Sequence, residues 1–338
     1  MPDTLMLAGA RPGRFRLANA STAELEGRST AIVRVQELVR RAAGNDACVL
    51  ITAEPGSAPE SVARELHQRG QRAESAYVPV ECGLGDPAAV DRLLFGPPPA
   101  VIPNDLESVT SDSRIGAAIG GTLFLQDVTD LPAAAQARLA RIARDGEVRL
   151  DGQPVATSFR IVASALPSID ADVHAHRFRA DLYRRLAGVR IDLPPLRDRG
   201  VDVPALAARL LEDICMAEGI PQKTFTETAL ALMSALTWPG NLAELHATIE
   251  RVARETPDVV IQIEHLLPGL PLLRTQSAFV PTGNLREARL RFERDYIASV
   301  LQHCGWKMAD AARTLGIQRP NLYRKARQLG IPLARLSE

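Results

Sequence analysis

Along its first half the chain alternates short apolar runs with segments whose apolar residues recur every three to four positions. Cys48-Val49-Leu50-Ile51-Thr52 is a compact apolar run, and the Pro/Gly turn Glu54-Pro55-Gly56-Ser57 closes it. Residues 60–67 follow as a helix with Val62, Ala63 and Leu66 on one face. Tyr77-Val78-Pro79-Val80, Thr122-Leu123-Phe124-Leu125 and Phe159-Arg160-Ile161-Val162-Ala163 read as further strands, and a helix from about Pro132 to Asp145 separates the last two. Strands alternating with helices predict an α/β layer on a mainly parallel sheet. Gly96 to Ser113, with Pro97, Pro98, Pro99 and Pro103, reads as an irregular surface loop.

Past residue 200 the period changes. Val203 to Met216, Thr226 to Leu236 and Leu242 to Glu255 are amphipathic helices, with the turn Trp238-Pro239-Gly240-Asn241 before the last and no convincing strand. Residues 268–284 carry three prolines and no period, which predicts a tether. From Leu285 to His303 a helical stripe runs through Leu290, Phe292, Tyr296, Ile297, Val300 and Leu301. A short helix from Lys307 to Leu315 stops at Gly316. Another opens at Arg319-Pro320-Asn321 and runs to Leu329, with Pro320 in the first turn, where a missing N–H costs no bond. The expected division is an N-terminal extension 1–26, an α/β core 27–195, a helical subdomain 196–268, a linker 269–284 and an all-α module 285–338.

Composition narrows the class. The 338 residues suffice for about two domains, and 46% hydrophobic content suffices for a core. Forty basic residues balance forty acidic ones, which excludes a chain basic throughout but not one basic module. No run approaches the ~18 apolar residues of a membrane span, and Arg11, Arg14 and Arg16 interrupt the N-terminal apolar stretch. A soluble, cytoplasmic protein without a signal peptide is expected. Cys48, Cys82, Cys215 and Cys304 show no paired spacing, so neither a disulfide framework nor a zinc site is indicated.

Charge singles out the tail. Between Trp306 and Arg335 lie Lys307, Arg313, Arg319, Arg324, Lys325, Arg327 and Arg335, against Asp310 alone. A basic island on a neutral chain is the footprint of phosphate binding. Two short helices with a tight turn between them describe a helix-turn-helix, whose second helix enters the major groove N-terminus first. Gln318, Arg319 and Asn321 would then face base edges, and Tyr323, Arg324 and Lys325 would reach bases or phosphates. Asp310-Ala311-Ala312-Arg313-Thr314-Leu315-Gly316-Ile317 and Arg319-Pro320-Asn321-Leu322-Tyr323-Arg324-Lys325 resemble the DNA-binding domain of the Fis family. Phe292-Glu293-Arg294-Asp295-Tyr296-Ile297 resembles that family's dimerisation segment.

The turn after the first strand raises the question of a phosphate-binding loop. Such a loop needs Gly-x-x-x-x-Gly-Lys-Ser/Thr, with backbone N–H groups around the phosphates and the lysine on the β/γ oxygens. Here it reads Ala53-Glu54-Pro55-Gly56-Ser57-Ala58-Pro59-Glu60: alanines replace both framing glycines, and Pro59 replaces the lysine and removes a donor. Glu54 and Glu60 are left as local negative charges. Taken alone, this is a turn before a helix.

Longer matches give it context. Arg92-Leu93-Leu94-Phe95-Gly96, Gly120-Gly121-Thr122-Leu123-Phe124-Leu125, the run from Phe178 to Leu186, Leu193-Pro194-Pro195-Leu196-Arg197-Asp198-Arg199 and Trp238-Pro239-Gly240-Asn241 resemble, in order, the AAA+ domain of NtrC-like bacterial enhancer-binding proteins. That resemblance implies an α/β AAA+ parallel-sheet core, a helical lid and, with the tail, an all-α helix-turn-helix domain. It also implies what is missing. The family's Asp-Glu pair, which holds Mg²⁺ and polarises the attacking water, corresponds to Gln126-Asp127. Its two sensor residues correspond to Leu166 and Ala243. Its sigma-54 contact loop, Gly-Ala-Phe-Thr-Gly-Ala, corresponds to Pro97-Pro98-Pro99-Ala100-Val101-Ile102-Pro103. Arg179 and Arg185 match the family's trans-acting arginines; a salt-bridged surface role is the competing reading for both.

Other constellations carry less. His174-Ala175-His176 lacks an accompanying acidic or cysteine cluster and reads as solvated loop; Ser57 and Ser61 have no histidine partner. Trp238 and Trp306 read as core or cap residues. Residues 1–26 are too short for a sensing domain, so phosphorelay control in cis is not expected. The sequence therefore implies a DNA-binding transcriptional regulator on an ATPase-inactive AAA+ scaffold, with no catalytic residue, metal or cofactor. Its expected partners are double-stranded DNA, a second copy in a dimer or larger assembly, and RNA polymerase or another regulator, with no membrane contact. Two alternatives stay open: an ATP-hydrolysing sigma-54 activator using substitute residues, and a sensor that binds nucleotide without cleaving it.

Overall fold

The computed structural model describes residue 25, residues 27–83, 86–98 and 106–269, and in the tail residues 294, 297, 301, 308–315 and 318–329. The chain forms two compact units, Met1–Leu270 and Pro271–Glu338. In the first, α1 (Thr30–Ala43) precedes β1 (Val49–Thr52), α2 (Pro59–Gln68), β2 (Tyr77–Glu81), α3 (Pro87–Phe95), β3 (Ser108–Val109) and α4 (Arg114–Ala118). Then come β4 (Thr122–Gln126), α5 (Ala133–Asp145), β5 (Glu147–Leu150), β6 (Gln153–Ala156), β7 (Arg160–Ala165), α6 (Ile169–His174), α7 (Ala180–Leu186) and β8 (Val189–Asp192).

Five strands form a parallel sheet in the order β2-β4-β7-β1-β8. Every residue of β1 and β7 is buried, as expected of central parallel strands covered on both faces. Alternate side chains serve separate cores. Leu50, Leu123, Leu125, Ile161 and Ala163 pack on one side with α3 and α5, whereas Val49, Ile51, Phe124 and Val162 pack on the other with α1 and α2. Buried Arg160 ties this second layer down: its guanidinium donates to the carbonyls of Ala42, Ala47 and Leu66, near the ends of α1 and α2.

The expected loop from Gly96 to Ser113 is partly ordered. Ser108–Val109 pairs parallel with β5, and β5 pairs antiparallel with β6, making a small second sheet. Arg138 fastens the base of this segment. It lies 3.8 Å from the Phe95 ring centroid and donates to Asp91, Glu107 and the Ser108 carbonyl. Residues 99–105, which include Pro99, Ala100, Val101, Ile102 and Pro103, lie outside the described residues.

The helical subdomain contains α8 (Val203–Glu218), β9 (Thr224–Phe225), α9 (Glu227–Ala235), α10 (Asn241–Glu255), β10 (Val260–Ile261) and α11 (Ile263–Leu266). The expectation of no strand here is corrected: β9 and β10 form a two-residue parallel pair, too short to leave a period in the sequence. Trp238 is buried among these helices and donates through Nε1 to the Met233 carbonyl. Asp202, just before α8, accepts from the Arg28 and Ser29 amides and from the Ser29 hydroxyl, which fixes the start of α1.

In the second unit, helices Met308–Thr314 and Arg319–Gln328 pack together through Met308, Ala311, Ala312, Leu322 and Ala326, with Ile297 and Leu301 in the same cluster. The linker, Trp306 and most of the dimerisation segment lie outside the described residues, as do Gly316 and Ile317.

Candidate functional site

The degenerate turn keeps the backbone path of a phosphate loop. Gly56 has φ +78°, and a Cβ there would stand 2.3 Å from the Gly240 carbonyl oxygen, so only glycine fits. Ala58 is also left-handed, at φ 55°, a conformation that disfavours a side chain by about 1–2 kcal/mol. Pro59 opens α2, where it supplies no amide to the space before the helix. The Ser57 hydroxyl is buried without a hydrogen-bond partner. Ser61 bonds the Ala58 carbonyl, so it is a local helix-start contact.

The lid subdomain grips this turn. Arg197 makes a bidentate pair with Glu54, at 2.8 and 2.7 Å. That pair holds the Glu54 carboxyl below its usual range, which corrects the expectation of an uncompensated charge there. Buried Asn241, left-handed at φ 53°, accepts from the Leu196 amide and donates to the Pro55 carbonyl. The amide of Ala243, at the second sensor position, donates to Gly56 at 3.0 Å. Arg197 and Asn241 stand inside motifs that sequence reading had marked, yet their partners are far along the chain. Asn after Gly in Trp-Pro-Gly-Asn was the available signal, since Asn tolerates the left-handed region.

The strand ends meet beside the turn. The Ala53 amide donates to Ala165 at the end of β7, and the neighbouring Ser164 hydroxyl accepts from the Asp127 amide. Gln126 ends β4 opposite Glu81. The first sensor position, Leu166, is 40% exposed and offers no polar group. Among the described residues no group of three His, Cys, Asp or Glu side chains could hold a metal. Both His174 and His176 are exposed, but His174 ends α6 and is not loop.

Arg179 pairs in bidentate fashion with Asp181, and Arg185 donates to the Ala143 carbonyl. On the second helix of the tail, Gln318, Arg319, Asn321 and Arg324 are exposed, while Tyr323 and Lys325 are half-buried. The Arg319 guanidinium lies 5.8 Å from the Tyr323 ring centroid, and Arg324 donates to the Asn321 side chain at 3.3 Å. Tyr323 therefore supports the exposed row and contributes to the core beneath it.

Comparison with known proteins places these features. Residues 25–192 match the sigma-54 interaction domain, residues 197–277 the AAA+ ATPase lid domain and residues 289–329 the bacterial regulatory proteins of the Fis family. The alginate biosynthesis regulator AlgB of Pseudomonas aeruginosa is 32% identical, over 98% of this chain and 75% of its own length. The hydrogenase regulator HoxA of Cupriavidus necator is 33% identical over 88% of this chain, which spans 63% of that protein's length. The crystal structure of NtrX from Brucella abortus is similar at a TM-score of 0.64 and 28% identity, over 91% of this chain and 70% of that one. No helix among the described residues is long and apolar enough to cross a membrane. The order of the three matched domains and the extent of similarity to AlgB show that the chain belongs to the family of NtrC-like bacterial enhancer-binding regulators.

Proposed function

We propose that the protein regulates transcription by binding DNA through its tail helices, with a central AAA+ domain that does not hydrolyse ATP. The observation that carries the DNA reading is the exposed row Gln318, Arg319, Asn321 and Arg324 along one basic helix. That row offers bidentate donors to base edges and cations to phosphates. The central domain supports the second half of the reading through its retained backbone and absent chemistry. An arginine finger alone is worth 10³–10⁵ in phosphoryl transfer, and one stabilising donor about 10²–10³; here lysine, metal-side acid and both sensors are replaced together. The segment after Gly96 offers prolines where the family contacts sigma-54, so the domain serves for assembly or docking and does not remodel sigma-54 polymerase.

The test has two arms. Purified protein is selected against genomic fragments, and the enriched site is titrated by fluorescence anisotropy. Arg319→Ala is expected to weaken site-specific binding by about 1–3 kcal/mol, and wild-type affinity in that variant would remove the assignment of the recognition helix. In the second arm, steady-state ATP hydrolysis is expected at background, and turnover that vanishes in Asp127→Ala would overturn the inactive reading. Nucleotide binding without turnover is the second reading. It is favoured by the left-handed backbone at Gly56 and Ala58 and by the unpartnered Ser57 hydroxyl. A rise in melting temperature with ATP and Mg²⁺ would select it.

A further inference from the structure

The ends of α5 and α7 bring together guanidinium groups that neither the degenerate turn nor the tail uses. Arg141 and Arg144 come from the last turn of α5, Arg179 precedes α7, and Arg184 and Arg185 end it. With Asp181 they line a depression of about 500 Å³. Ala137 and Ala140 also line it, and their small side chains leave the space open.

Part of this charge has an ordinary explanation. Cations suit helix C-termini; Arg144 pairs with Asp145, Arg179 with Asp181 and Arg141 with Glu107. Arg184 and Arg185 bond backbone carbonyls. Those contacts use at most two of the five donors that each guanidinium carries. They also leave unexplained why five cations converge on one concavity lined by a single carboxylate.

We propose that this basin binds a small phosphate-bearing polyanion, namely a di- or triphosphate group held by bidentate guanidinium contacts. Arginine's planar fork matches phosphate oxygens, and the volume lies in the ~300–1,000 Å³ range of small-molecule sites. An acidic peptide is the poorer fit, because its carboxylates are spread along ~3.3 Å per residue, whereas a triphosphate concentrates its charge within the depression. The apolar lining is limited to two alanines, so a nucleoside adds little: tripolyphosphate and a nucleoside triphosphate are expected to bind about equally. This differs from an arginine reaching into a neighbour's nucleotide, since the ligand is free and one chain holds it.

Full-length protein is titrated with sodium tripolyphosphate by isothermal calorimetry at low ionic strength. Saturable one-to-one binding is expected, weakened at least about tenfold in Arg144→Gln/Arg184→Gln, the loss of two charge-assisted contacts. Both side chains are exposed, so an unchanged melting temperature shows that the variant is folded. The tail variant Arg319→Ala/Lys325→Ala is expected to keep wild-type tripolyphosphate affinity while losing DNA, which separates this inference from the DNA-binding reading. The proposal is overturned if binding does not saturate, if the basin variant binds as wild type, or if only the tail variant loses it. It is equally overturned if sedimentation shows self-association abolished by the basin variant with no saturable anion binding, an outcome that assigns the arginines to a second copy's carboxylates.

Discussion

Asp202 is 2% exposed and stays charged because the chain surrounds it with donors. Burial pushes its carboxyl upward, but the Ser29 hydroxyl, the Arg28 and Ser29 amides and the Arg199 guanidinium outweigh that and hold it below the usual aspartate range. A depressed carboxylate stabilises the fold at neutral pH, and that contribution fades as pH falls below about 4 and through the folded-state value. Asp202→Asn is therefore expected to cost about 2 kcal/mol or more in urea denaturation at pH 7, with the deficit shrinking under acid. A deficit independent of pH would point to packing instead. None of this was legible in the sequence, because Ser29 and Asp202 are 173 positions apart. Pro59 was legible, since losing a donor and a cation depends on residue type alone. The charge of Glu54 was misjudged for the opposite reason: its partner Arg197 is 143 residues away.

The lid helix α10 and the turn after β1 meet through Asn241, which bonds one group from each side. Asn241→Ala would strand the Leu196 amide and the Pro55 carbonyl, at about 1–3 kcal/mol for each buried group, and would put alanine in a left-handed conformation. The expected result is a loss of about 2–4 kcal/mol with earlier protease cleavage between core and lid, measured by denaturation and limited proteolysis. No change would mean that the Glu54–Arg197 pair holds the lid alone. Central strands β1 and β7 were readable as continuous apolar runs because parallel strands are buried on both faces. The hairpin of β5 and β6 was passed over although Asp151-Gly152 carries its turn signal, both residues having positive φ. Helix α1 was also passed over, although Ser29 caps it through the Ile32 amide and its apolar residues recur at helical spacing.

The 338-residue chain has no net charge, so any steep salt dependence of DNA binding must come from a local surplus. The slope of log K against log salt is expected to be strongly negative, and Arg324→Ala or Lys325→Ala should each reduce it by about one. An unaltered slope in both would place the phosphate contacts elsewhere. The division of labour between a neutral body and a cationic tail was legible from charge counting, whereas the pinned lid was not. Arg138 has a further implication for how such a body diverges. Because one guanidinium staples Asp91, Glu107 and Ser108 across the two sides of the insertion's stem, the sheet does not rely on what the insertion says. Mutation can rewrite that stretch, prolines included, at little risk to folding, and a lineage can retire one protein–protein contact while keeping the scaffold for other uses.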